Sequence, residues 1–160
     1  MHLRIYESTN SLLDCVVANC ARFAQAEALK TRTFKFGLQV VYFCRELRKT
    51  WEGDEFADQL FRSGTRAGAN YRSACRGRSH DDFVAKLGHA VEEADECVYW
   101  LAMIAAAKTA DSPRLRPLLA EANELWAILN QSQVTARANQ AKRRGMRSPI
   151  RQSSVQQSNP

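Results

Sequence analysis

The stretch SGTRAGANYRSACRGRS, residues 63–79, carries Arg66, Arg72, Arg76 and Arg78, with Arg62 one residue upstream. Guanidinium groups at this density are suited to phosphate or carboxylate, because their fixed fork of N–H donors matches the oxygens of either. A loop that cradles phosphate would bunch its glycines at a strand-to-helix turn and follow them with Lys and Ser or Thr, and this stretch does neither. Read as helix, at about 100° per residue, it separates into two faces. Phe56, Leu60, Gly64, Ala67, Tyr71, Ala74 and Cys75 fall on one side, with residues small enough to let a neighbouring helix come close. Arg62, Arg66, Arg72 and Arg76 lie within about a third of the circumference on the other. Such a stripe can be a solvated face, meet the acids of another subunit, or meet a phosphate backbone.

The carboxylates offer a second chemistry. Glu92-Glu93-x-x-Glu96 and Glu121-x-x-Glu124 contain paired acids of the kind that hold magnesium for hydrolysis. On the helical wheel, however, Glu92 and Glu96 point opposite the apolar stripe of their helix and Glu124 points well off that of its own, so convergence on one interior metal is difficult. No Glu-x-x-His pair supports a di-iron site, and His89, beside Glu92 and Glu93, reads as a solvated residue. The five cysteines form no C-x-x-C and sit apart from the three histidines, which excludes the familiar zinc spacings. Cys44, Cys75 and Cys97 fall in helical segments and read as small core hydrophobes. No Ser or Cys occupies a strand-turn-helix elbow, so no nucleophilic triad is expected. The expectation is a protein without catalytic residues, metal or cofactor. Asn70, at the edge of the small-residue face, reads as an amide bonding to a neighbouring helix. Tyr99 and Trp100, outside the main stripe of their helix, together with Glu92, Glu93 and Glu96, read as a subunit interface.

Four segments must position these residues. Thr31–Trp51 is predicted helical with a buried face of Phe34, Leu38, Val41, Tyr42 and Leu47, and Gly53 as its stop. Asp54–Arg76 follows. The third runs from an N-cap at Ser79 or Asp81 to about Lys108, on Phe83, Leu87, Ala90, Val91, Ala94, Val98, Leu101 and Ala105. The fourth opens at Asp111-Ser112-Pro113 and buries Leu115, Leu118, Leu119, Ala122, Leu125, Trp126 and Leu129. With no strand signal and no repeat, the natural solution is an all-α, up-and-down antiparallel four-helix bundle.

At 160 residues the chain suits one domain. The expected division is an N-terminal extension over 1–28, in which Leu12, Leu13, Val16, Val17 and Cys20 could form a short amphipathic helix, the bundle over 29–136, and a basic, disordered tail over 137–160. All 17 acids lie at or before Glu124, whereas Arg137, Lys142, Arg143, Arg144, Arg147 and Arg151 follow it, so the whole net charge of +6 sits in the tail. No stretch is long and apolar enough for a membrane span and no secretory signal is evident, which points to the cytoplasm.

Arg66-Ala67-Gly68-Ala69-Asn70-Tyr71-Arg72, then Ser79, Phe83 and Lys86-Leu87, then Glu92-Glu93-x-Asp95-Glu96-x-x-Tyr99-Trp100-Leu101, and finally Glu121-Ala122-Asn123-Glu124-Leu125 form a combination of motifs. The chain resembles, from about Leu29 to Thr135, the four-helix bundle protein family encoded in intervening sequences of bacterial 23S ribosomal RNA genes. The resemblance implies a bundle that assembles into a ring, typically a homopentamer, and no enzymatic activity. It also implies similarity to the accessory variability determinant of diversity-generating retroelements, which binds a reverse transcriptase and nucleic acid through a basic surface. On this basis the expected partners are RNA or DNA and a reverse transcriptase or ribosomal component. The expected contacts are Arg62, Arg66, Arg72, Arg76 and Arg78 in the helix and Lys142, Arg143, Arg144 and Arg147 in the tail.

Overall fold

The computed structural model describes residues 3–147, which form α1 (Leu3–Leu47), α2 (Trp51–Ala74), α3 (His80–Ala107) and α4 (Leu115–Arg147). Among the described residues there is no strand. Each helix packs antiparallel against the next, and α1 and α4 meet over a shorter stretch, giving the up-and-down four-helix bundle that the apolar periodicity predicts.

Helices α2, α3 and α4 bury the faces expected of them: Leu60, Gly64, Ala67, Tyr71 and Ala74; Leu87, Ala90, Ala94 and Leu101; and Leu115, Leu118, Ala122, Leu125 and Leu129. Helix α1 does not. Its buried residues are Phe36, Val40, Phe43, Cys44 and Leu47, while Phe34 is 71% exposed and Leu38 and Tyr42 are each 42% exposed. Of the predicted stripe only Leu47 is in the core, and Val41 is half-buried. The cause is that α1 is apolar on two nearly opposite sides, and the one that enters the core is the one that fits α2. A Cβ on Gly64 would lie 2.8 Å from Val40, and one on Gly68 would lie 3.3 Å from the Thr33 backbone. These absent side chains let the helices approach closely. Ala67, between them and 4% exposed, has no room to grow, so Ala67→Leu is expected to lower stability by about 1–3 kcal/mol through overpacking. Denaturant titration measures this, and an unchanged midpoint would mean that the face is not packed as described.

The helix ends also differ from expectation for local reasons. Trp51 begins α2 and does not end α1, because Thr50 is an N-cap whose hydroxyl accepts the Gly53 N–H at 3.1 Å. Gly53 lies inside the first turn of α2, where a Cβ would meet the Leu47 carbonyl oxygen at 2.1 Å, so the glycine permits a tight corner. Ser79 caps α3, accepting the Asp82 N–H at 3.1 Å. Pro113 sits in the turn just before α4, whose first residue is Leu115.

The two ends of the chain depart furthest from the expected divisions. With no Gly or Pro before Gly37 to interrupt it, α1 starts at Leu3, not at Thr31. Side chains from Cys20 through Gln25 are all exposed, and Arg22 and Gln25 border an open depression shared with His80, Ile128, Thr135 and Asn139. Helix α4 passes residue 136 without a break and continues to Arg147; Pro149 is the next proline after Pro117. The compositional argument for disorder from 137 therefore fails as far as Arg147, where contacts of Ala136, Gln140 and Arg144 with α3 prevail although Gly145 lies within the helix; residues 148–160, including Arg151, lie outside the described residues.

Candidate nucleic-acid interface

The outward side of α2 is an arginine ridge. Arg62, Arg66, Arg72 and Arg76 are all exposed, and Arg78 is exposed in the turn leading into α3. The ridge is held in place by what lies beneath it: Leu60, Ser63, Gly64, Ala67 and Tyr71 are buried, and the Ser63 hydroxyl donates to the Gln59 carbonyl oxygen at 3.1 Å. Arg66 leans toward α3, with Nη1 3.8 Å from Glu93 Oε1. No acidic side chain among the described residues pairs with Arg62, Arg72 or Arg76. Arg72 borders a groove between α1 and α2, beside Lys30 and Phe34.

The bundle brings a second basic group to one end of this ridge. Arg143 lines a shallow depression with Ser79, His80 and Asp81, close in sequence to Arg76 and Arg78. Lys142 is exposed, and the side chain of Arg147 lies outside the described residues. Arg144 donates through Nη2 to Asp81 Oδ2 at 3.2 Å, so it also tethers α4. Gln140 Nε2 donates to the other Asp81 oxygen at 2.6 Å, and His80 Nε2 lies 2.9 Å from the Ala136 carbonyl oxygen. The hydrogen bonds from Gln140 and then Arg144 hold the Asp81 carboxyl below its ordinary range. A depressed carboxylate contributes stability above its unfolded pKa, about 3.9, and loses it as pH falls through the folded value. Acidification below about pH 4 is accordingly expected to loosen the end of α4 before the core. Amide exchange along Ala136–Arg147 as a function of pH tests this, and protection that falls uniformly over the molecule would refute it.

On α3 the acids divide. Glu92 is exposed, with Oε2 3.3 Å from His89 Nδ1. Glu93 is only 19% exposed, and burial raises its carboxyl above the ordinary value against the opposing effect of Arg66. Glu96 accepts the Trp100 indole N–H at 3.1 Å. Trp100 packs against Phe56 of its own chain, centroids 6.1 Å apart, and Tyr99 stands edge-on to it at 5.0 Å. Tyr99 is more than half exposed and Trp100 is half-buried, so the pair is part core cover and part surface. Asn70 is half-buried, one turn beyond Arg66.

The most developed ion-pair site was not foreseen. Arg32 Nε and Nη2 each donate to Glu121 at 2.7 Å, and Nη2 also reaches Glu124 at 2.5 Å, tying α1 to α4. This uses both members of the Glu121-x-x-Glu124 pair in a structural clamp and raises the arginine further above its already high pKa. Among the described residues no group of three or more His, Cys, Asp or Glu is placed to hold a metal ion. Burial pushes the Cys97 thiol up to about 12 and that of Cys44 to about 11, far from the thiolate that nucleophilic or redox chemistry needs. Among the described residues no helix is long and apolar enough to cross a membrane.

Comparison with known proteins agrees with this architecture. No curated protein matches the chain. A crystal structure of a protein of unknown function from the S23 ribosomal protein family of Bacteroides thetaiotaomicron superposes with a TM-score of 0.62 at 26% identity, over 68% of this chain and 96% of that one. The model of the 23S rRNA-intervening sequence protein family matches residues 26–131, leaving outside it the first part of α1 and the end of α4. With four antiparallel helices in place and most of the bundle matched, the chain belongs to the 23S rRNA-intervening sequence protein family.

Proposed function

We propose that this protein is a non-enzymatic, homo-oligomeric bundle of the cytoplasm that binds RNA or DNA through the arginine ridge of α2. The nucleic acid would be met free or within a nucleoprotein partner, such as ribosomal RNA or a reverse-transcriptase complex. The observation that carries this reading is the exposure of Arg62, Arg72 and Arg76 on one packed helix with no acidic side chain among the described residues against them. A fixed row of guanidinium groups is suited to a phosphate backbone, and Lys142 and Arg143 extend the positive surface at the end of the bundle. The name of the family, which refers to ribosomal RNA, is in keeping with it.

Assembly is supported by exposed apolar side chains on α1 and α2, namely Phe34, Leu38, Tyr42 and Phe61, and by Tyr99 on α3. A ring, with five members as the resemblance implies, would use heterologous contacts between unlike faces. The same apolar exposure favours the second reading, a protein–protein interaction module with no affinity for nucleic acid. Titration of RNA and DNA at several salt concentrations, beside the variant Arg72→Glu/Arg76→Glu, decides between the two. Binding that weakens with salt and fails in the variant supports the ridge, and no binding at low salt leaves the interaction module.

A further inference from the structure

The clamp of Arg32 on Glu121 and Glu124 sets the register of the antiparallel pair α1 and α4. Past it, toward the start of α1 and the end of α4, the two helices border an open depression of ≈ 720 Å³, within the size range of ligand clefts. Leu29, Phe83 and Ile128 give it an apolar floor, with the buried Tyr71 and Ala136 beneath. Its rims are polar. Gln25, seven residues before Arg32, comes level with Gln131, seven residues after Glu124, and Arg22, one turn further along α1, comes level with Thr135. Arg22, Gln25 and Gln131 are exposed, and among the described residues none of their side chains is held by a hydrogen bond or an ion pair.

We propose that this depression binds an adenine nucleotide, with the base between Gln25 and Gln131 and the phosphate at Arg22. A carboxamide presents a donor beside an acceptor, the pattern complementary to N6 and N7 of adenine, whereas guanine offers two acceptors on the same edge. The faces of the base lie on Phe83 and Ile128, since every base has an apolar π-face that tolerates such a surface. The Arg22 guanidinium, about 4.5 Å further along α1 at 1.5 Å per residue, is suited to the phosphate beyond the sugar. An acyl chain or the apolar face of a helix laid in the same place would cover both carboxamides with hydrocarbon and leave them without water or partner, which is unfavourable. The nucleotide can come free or as an unpaired residue of a strand. His80 lines both this depression and the one at Arg143, so a strand leaving the α2 ridge at Arg76 and Arg78 reaches the site along a basic path. That second source rests on the ridge reading; the site itself does not.

The site is tested on the full chain by calorimetric titration with adenosine monophosphate, guanosine monophosphate and adenosine at low salt, in wild type, Gln25→Leu/Gln131→Leu and Arg22→Glu. Adenosine monophosphate is expected to bind, and guanosine monophosphate to bind about 5- to 150-fold more weakly, the range for one bidentate amide contact. Gln25→Leu/Gln131→Leu should remove that preference, and Arg22→Glu should weaken the nucleotide while leaving adenosine as in wild type. All three positions are exposed, so the bundle should stay folded, which helical circular dichroism checks. A single-stranded oligoadenylate and the variant Arg72→Glu/Arg76→Glu identify the source. If the oligoadenylate binds more tightly than the mononucleotide and loses that advantage in the ridge variant, the site takes a residue of a strand; if the two bind alike and the ridge variant changes neither, it takes the free nucleotide. No binding of adenosine monophosphate at millimolar concentration, equal affinity for the two nucleotides, or a preference that survives Gln25→Leu/Gln131→Leu would overturn the site. Failure of the ridge reading is distinguishable, because it removes strand binding and leaves binding of the mononucleotide intact.

Discussion

Reversing two charges on the α2 ridge, Arg72→Glu/Arg76→Glu, is expected to weaken binding of RNA or DNA by at least about 25- to 60-fold at 0.1 M salt relative to a 1 M reference. The estimate takes one phosphate contact per arginine, each contributing about 0.7 to the slope of log affinity against log salt for single strands and about 0.9 for duplex. Loss of two contacts should therefore flatten that slope by about 1.4–1.8, and the new carboxylates add repulsion. Both positions are exposed and pair with no acid among the described residues, so the fold should not respond. Mass measurements on the same samples separate the two possible roles of the ridge. Lost binding with an unchanged mass assigns the arginines to phosphate, whereas a reduced mass assigns them to the acids of a neighbouring copy. Lys142→Glu/Arg143→Glu should flatten the slope in the same way if α4 joins the surface. Equal affinity and slope in wild type and ridge variant would sink the assignment of the α2 ridge.

This ridge was legible in the sequence because a helical wheel needs only local information: four arginines within a third of a turn on α2 fall together whatever the rest of the chain does. The core faces of α2, α3 and α4 were legible for the same reason, each having one apolar side. Helix α1 has two, and periodicity detects an apolar face without saying which neighbour covers it. The deciding facts, Val40 meeting Gly64 and Thr33 meeting Gly68, are contacts between helices and have no local signature. The clamp of Arg32 on Glu121 and Glu124 joins residues about ninety positions apart and was hidden likewise. The continuation of α4 to Arg147 is a case where composition argued for disorder, yet Ala136, Gln140 and Arg144 fall at steps of four and meet His80 and Asp81.

The two phenylalanines of α1 turn that correction into a measurement. Phe43 is fully buried among residues that include Val40, Leu60, Leu101 and Ile104, so Phe43→Ala removes a ring from the centre of the bundle and leaves a cavity. The expected loss is about 3–5 kcal/mol, a large part of the roughly 5–15 kcal/mol that holds a domain together. Phe34, nine residues earlier on the same helix, is 71% exposed, and Phe34→Ala should move the stability of the single chain by no more than about 0.5 kcal/mol. Both are measured by denaturant titration at one fixed protein concentration, because the stability of an assembled protein depends on it. The amino-acid sequence alone orders the two substitutions the other way, since Phe34 belongs to the stripe with the clearer periodicity. A greater loss from Phe34→Ala than from Phe43→Ala would show that α1 is rotated by about half a turn from the orientation described, and the groove and the packing at Gly64 would both have to be reassigned.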